Sequence, residues 1–272
     1  MHVEIRFDPA LVEEAVFLEL SRLTMAGNRP FDSASPRSGF RPTAARGAPQ
    51  SVSSFHRERE AVYELQDAQQ RDAAFQRLAH RTFEAFGLTG LFTARLSEFP
   101  QVPAHVELVV VRRVWNKKEE QVELYVGRPG DAQPTLHVST TLFIGLQAIR
   151  CLDRGKLAAF LRHELMHVAD MLDPTFAYDP HPAFGGESEP ENELIRERFR
   201  ALWDLWVHAR IRHRGWQTTL DDDVRQREVM RAFAFLSPSA QEELITAVSR
   251  QNRWTQGELL ALAGGAHVEA AR

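Results

Sequence analysis

The chain has 272 residues, 43% of them hydrophobic and 26% charged, with a formal net charge of −4. That composition excludes a wholly disordered polymer, and the charge balance gives no electrostatic case for a nucleic-acid partner. The single cysteine, Cys151, excludes an internal disulfide and any cysteine-rich zinc site. No apolar run approaches the length of a membrane span, so no membrane partner is expected, and a cytoplasmic protein is the expectation.

In chain order, His2-Val3-Glu4-Ile5-Arg6-Phe7 reads as a short strand. Asp8 and Pro9 then open a helix through Leu18, since proline suits the first helical turn. Residues 27–52 are rich in Gly, Pro, Ser and Arg and read as a flexible loop. One long helical stretch is expected from about Ser54 to Phe86, ending at Gly87. Strands are expected at residues 106–111, 122–126 and 135–139, the last around His137. Near the C-terminus, Asp221, the capping-box pattern Ser239-Ala240-Gln241-Glu242 and Thr255-Gln256-Gly257-Glu258 each open a helix. These last helices carry no recognisable chemistry.

The chemistry concentrates at His163-Glu164-Leu165-Met166-His167. Asp153 can cap a helix running from Lys156 to Leu172. Two histidines four apart on it lie about 40° apart around the axis, so both imidazoles reach one ion. Glu164, directly after the first, can take a proton from a metal-bound water. Leu157, Leu161, Leu165, Val168 and Leu172 share the opposite face, so one side anchors in a core while the other presents ligands. Asp170 falls on the histidine side and is a candidate to support the ligands.

This H-E-x-x-H pattern resembles that of the zincin metallopeptidases. Over roughly residues 100–215 the resemblance implies an α+β fold with a small mixed or antiparallel sheet packed on the H-E-x-x-H helix. Additional helices would stand at both ends. It divides the chain into a mostly helical N-terminal region (1–99), a zincin-like core (100–215) and a helical C-terminal region (216–272) packed with that core.

Catalytic zinc usually takes three protein ligands. In the metzincin branch a glycine turns the chain back after the second histidine; here Asp170 occupies that position. The helix should continue to the Asp173-Pro174 step, placing Asp173 roughly 9 Å beyond His167 along the axis. In the gluzincin branch a second helix supplies a glutamate. Asn192-Glu193-Leu194-Ile195-Arg196-Glu197 resembles the N-E-A-I-S-D stretch of thermolysin-like enzymes. On that likeness Glu193 is the third ligand and Glu197 the acceptor that orients a ligating histidine; Glu197 and Asp173 remain alternatives as ligand. On the helix that follows, Ile195, Phe199, Leu202, Trp206 and Ala209 form an apolar stripe, and Glu193, Glu197 and Asp204 share the other side.

Tyr178 and His181, in the proline- and glycine-rich segment 176–186 between the two ligand helices, are candidates to stabilise an oxyanion. His208 is weighed for the same role and placed on a helix surface. The edge strand around His137 could pair with an extended peptide. The resemblance thus implies a gluzincin-like zinc metallopeptidase acting on a peptide or protein substrate. The alternative is a non-catalytic zinc-binding regulatory or interaction protein on the same scaffold.

Overall fold

A computed structural model describes residues 3–27, 48–127 and 140–265. The first half opens with strand β1 (Glu4–Phe7) and helix α1 (Pro9–Gly27). Helices α2 (Ala48–Tyr63), α3 (Ala68–Ala85), α4 (Leu88–Ser97) and α5 (Gln101–His105) follow. Strands β2 (Leu108–Arg113), β3 (Val122–Val126) and β4 (Thr140–Leu146) come next. The chain then passes through a 3-10 turn (Ala148–Leu152) into α6 (Arg154–Leu172) and α7 (Glu189–His213). It closes with α8 (Asp222–Ala232), α9 (Pro238–Arg250) and α10 (Gln256–Ala263).

The protein is mixed α+β, with a small four-stranded sheet in the order β1-β2-β4-β3. β1, β2 and β4 run parallel, and β3 joins β4 antiparallel as an edge. Parallel strands at the centre of a sheet are covered on both faces and read as near-continuous apolar runs. β4 is such a strand: Leu142, Ile144 and Leu146 are fully buried, and Thr141 is also buried. It lies directly after residues 135–139, and the strand expected around His137 falls outside the described residues.

Asp8 joins sheet to helix. One carboxylate oxygen accepts from Ala10 N (2.9 Å) at the start of α1, and the other from Arg113 N (3.2 Å) at the end of β2. The loop expected at residues 27–52 lies outside the described residues except at its ends, where α1 runs to Gly27 and α2 begins at Ala48, so its last residues are helix and not loop. The single helix expected from Ser54 to Phe86 is instead two. The chain leaves helical geometry after Tyr63, and Asp67 starts α3 by accepting from Gln70 N at 2.7 Å. Gly87 ends that run with φ of 72°, the left-handed conformation that glycine adopts without steric cost.

α6 lies at the centre of the molecule, packed by α4, α5, α7, β3 and the 3-10 turn before it. Asp153 caps it through Lys156 N (3.0 Å), and it ends at Leu172, before the Asp173-Pro174 step. Its burial is broader than one apolar face. Leu157, Leu161, Leu165 and Val168 are buried, but so are His163 and Asp170 on the other side. α7 covers that other side, so the histidine face is roofed by a helix.

Ser188 opens α7 three residues earlier than the acidic stretch suggests, accepting from Glu191 N. Ser237, with Pro238 after it, opens α9 two residues before the Ser239 pattern expected to do so. α10 has the full capping box, with Thr255 and Glu258 bonded reciprocally. The buried core is continuous from Phe7 to Ala263, with Val248, Leu259 and Ala263 of the last two helices part of it. No helix among the described residues is long and apolar enough to cross a membrane.

Gly145 sits in β4 where a Cβ would meet the Glu119 carbonyl oxygen at 2.8 Å and Val114 Cγ1 at 3.0 Å. The oxygen belongs to backbone and cannot swing aside. Gly145→Ala should therefore lower stability by about 1–3 kcal/mol. Gly90→Ala in α4, where a Cβ meets nothing within 4 Å, should raise it by about 0.5–1 kcal/mol. Urea unfolding midpoints measure both, and shifts of the same sign would contradict the packing described.

Candidate metal site

His163 and His167 project from consecutive turns of α6, their rings 5.0 Å apart and inclined at 77°. Opposite them stands Asp204 of α7. Its Oδ1 lies 3.0 Å from His167 Nε2 and 3.4 Å from His163 Nε2. One ligand atom from each of the three residues falls within 4.8 Å of the others, and this is the only such His/Cys/Asp/Glu group found among the described residues. Ligands at about 2.0–2.1 Å around a tetrahedral ion are about 3.3 Å apart. The two histidine–aspartate separations match that edge. Two imidazole nitrogens and one carboxylate oxygen are also a donor set suited to a borderline transition ion. The residues present fit a metal.

Burial pushes the Asp204 carboxyl up, and the hydrogen bonds and charges of His163 and His167 outweigh it. The group is held well below the ordinary carboxylate range. Asp204 is thus ionised and offers lone pairs rather than a proton. Its side chain keeps 34% of its surface open, so α7 does not wholly enclose the carboxylate.

The wall around the cluster is aromatic. Trp203 stands edge-on to His167 with centroids 4.5 Å apart, and Phe176 stacks on Trp203 at 5.1 Å. Asp170 holds this wall. It accepts from Trp203 Nε1 (2.8 Å) and takes a two-pronged pair from Arg210 (2.6 and 2.5 Å). Asp170 therefore supports His167 through the indole that packs on it and makes no bond to either imidazole.

Glu164 is half-buried, and among the described residues it makes no hydrogen bond or ion pair. Its carboxylate is uncommitted. Glu193, expected as third ligand by resemblance, is exposed and stands three turns before Asp204 on α7, about 16 Å along the axis. Glu197 is also exposed, about 10 Å before Asp204 along the helix, and lines a groove with Leu194, Glu228 and Arg231 on the α8 side. Asp173 caps the end of α6 and accepts from Thr175 N and Oγ1, both at 2.8 Å. None of these three joins the histidine pair. Asp204 takes their place.

The signal for Asp204 was its setting. It is the one charged residue in Leu202-Trp203-Asp204-Leu205-Trp206-Val207, a stretch buried apart from it. A carboxylate placed in so apolar a run needs a partner, and the histidines are that partner.

Tyr178 lies half-buried against the aromatic wall, 6.0 Å from Trp203, with its hydroxyl pKa raised by burial and by Asp179. Gln256 of α10 fixes this loop, its backbone N donating to Phe176 O (2.8 Å) and its Nε2 to Asp179 O (2.9 Å). His181 is exposed farther along the same loop. His208 is not the surface residue expected. It is 4% exposed, and its Nε2 lies 2.8 Å from Asp222 Oδ1 at the start of α8.

Two large cavities lie elsewhere. One of about 820 Å³ sits among Val16, Leu20, Phe55 and Phe75. The other, of about 810 Å³, is lined by Met166, Asp170, Trp206 and Arg210. Neither is lined by His163, His167 or Asp204, so cavity volume is not a guide to this site.

No protein-family model, curated protein or solved structure matches the chain. The reading of the site rests on its own geometry.

His208 gives the fold's stability a pH dependence. Burial lowers its pKa more than the Asp222 contact raises it, so the fold favours the neutral ring. The unfolded chain then binds a proton at higher pH than the folded one. This contribution to stability is present above about pH 6.5 and lost as pH falls through the folded value. Between about pH 7.5 and about pH 5.5, His208→Gln should lose less stability than the wild type. Parallel urea-midpoint curves for the two proteins would sink this assignment.

Proposed function

We propose that the protein is a zinc-dependent peptidase in which His163, His167 and Asp204 hold the ion and Glu164 is the general base. The observation that carries the proposal is the convergence of two imidazoles, spaced as H-E-x-x-H on one helix, with a carboxylate from the next. An α+β chain whose mixed sheet precedes the metal helix, with a third donor from a second helix, agrees with a zincin-like plan. In that plan the aspartate takes the position that a glutamate fills in gluzincins.

Zinc, when bound, would supply an acidified water and polarise a carbonyl oxygen. The chain's own residues do the rest. Glu164, uncommitted in the structure, accepts the proton of the attacking water and returns it to the leaving amine nitrogen. Trp203 and Phe176 form an apolar wall that excludes water from His167 and strengthens charge interactions there. Tyr178, on the loop fixed by Gln256, is the available hydroxyl donor for a developing oxyanion. The proposed substrate is an unstructured peptide or protein segment.

Glu164→Gln should retain the wild-type zinc content while hydrolysis of an unfolded protein substrate falls by about 10²–10⁴-fold. Cleavage at the wild-type rate would remove Glu164 from the mechanism. Wild-type protein that binds zinc but shows no chelator-sensitive cleavage of any unfolded substrate would instead favour the non-catalytic reading.

Asp204→Asn should reduce zinc content on purification, whereas Glu193→Gln should leave it unchanged. Metal analysis by mass spectrometry reads both, and the opposite pattern would return the third ligand to Glu193.

A further inference from the structure

The two oxygens of Asp204 face different partners. Oδ1 points between the histidine rings, at 3.0 and 3.4 Å, while Oδ2 lies 3.0 Å from Arg225 Nη1. Arg225 comes from α8, in the region where the sequence showed no chemistry, and its side chain is 6% exposed. The same Nη1 reaches Glu228 Oε2 at 2.7 Å, one turn on. Glu228 offsets the charge of the buried guanidinium, and its bond limits how far Arg225 can swing.

A guanidinium stays charged, so its Nη1 bond holds Oδ2 toward α8 while Oδ1 faces the histidines. With Oδ2 held toward α8, turning Asp204 so that both oxygens face one ion would cost that charge-assisted bond. A two-oxygen aspartate together with two histidines would fill all four places of a tetrahedral site. A one-oxygen aspartate leaves the fourth open, as a catalytic site needs.

We infer that Arg225 is a positioning residue that makes Asp204 a single-oxygen ligand and so reserves a coordination place for water. This rests on the reading of His163, His167 and Asp204 as the metal site. It adds a determinant of coordination number, supplied by the third helix of the site.

Cobalt(II), loaded into the full-length protein, reads coordination number directly through its visible d–d absorption, which is strong in four-coordinate sites and weak in higher ones. The wild type should show the strong band. Arg225→Met should show a band that loses intensity and shifts as the second oxygen joins. Arg225→Gln is too short to reach Oδ2 and should do the same, which preserves the test where the methionine variant does not fold. Arg225→Lys, which keeps a charged donor, should restore much of the wild-type band.

A residue that merely ties α8 to α7 would lower thermal stability in these variants without altering the spectrum. If Arg225→Met and Arg225→Gln bind cobalt with the wild-type band, the inference is overturned and the metal site stands. If the wild type takes up no cobalt, or Asp204→Asn leaves its spectrum unchanged, the metal reading fails and this inference with it.

Discussion

Asp204 places a carboxylate where α7 crosses the histidine face of α6, and much of the surrounding structure serves to make that tolerable. An ionised group in an apolar helix segment costs several kcal/mol unless it is paired and hydrogen-bonded. Here both oxygens are engaged, one by the imidazoles and the other by Arg225. α7 is exposed at one end and buried at the other. Its first turns are exposed and acidic, and the residues that pack begin at Ile195. The residues that meet the histidine face of α6, Trp203, Asp204 and Arg210, come from the second half of α7.

A second carboxylate, Asp170, repeats the device a turn further along α6. It draws Trp203 by hydrogen bond and Arg210 by ion pair, and Arg210 in turn lies over the Trp206 ring at 3.5 Å. Trp203, Trp206 and Phe176 thereby become a fixed aromatic layer beside His167. Asp170 and Asp204, each paired across the contact, thus set the register between α6 and α7. A slip of one residue would separate both from their partners at once.

α6 and its histidine pair were legible in the sequence because their signals are local: the Asp153 cap, the i, i+4 histidines and the Asp173-Pro174 stop all act within a few residues. The third donor was not, because it depends on which turn of α7 crosses α6. Glu193, Glu197 and Asp204 share one side of that helix, and periodicity cannot distinguish turns of a face. Likeness to a known motif favoured the first turns, where acidic residues are also common for reasons of helix dipole alone. The break at residues 64–67 was missed because no glycine or proline marks it; Asp67 as a cap was the available cue. β4 was missed for the opposite reason, since a strand buried on both faces shows no alternation. His208 looked exposed because its partner, Asp222, lies on another helix.

The order in which the site's parts occur along the chain has a consequence for biosynthesis. The histidines stand at 163 and 167, the aspartate at 204, and the arginine that restrains it at 225. A chain emerging from the ribosome past α6 carries the two imidazoles before the carboxylate that faces them has been made. The site closes only when α7 and α8 have been made and have docked. On the proposed metal reading, ion uptake would be tied to completion of the core, and bound metal would stabilise only that finished state.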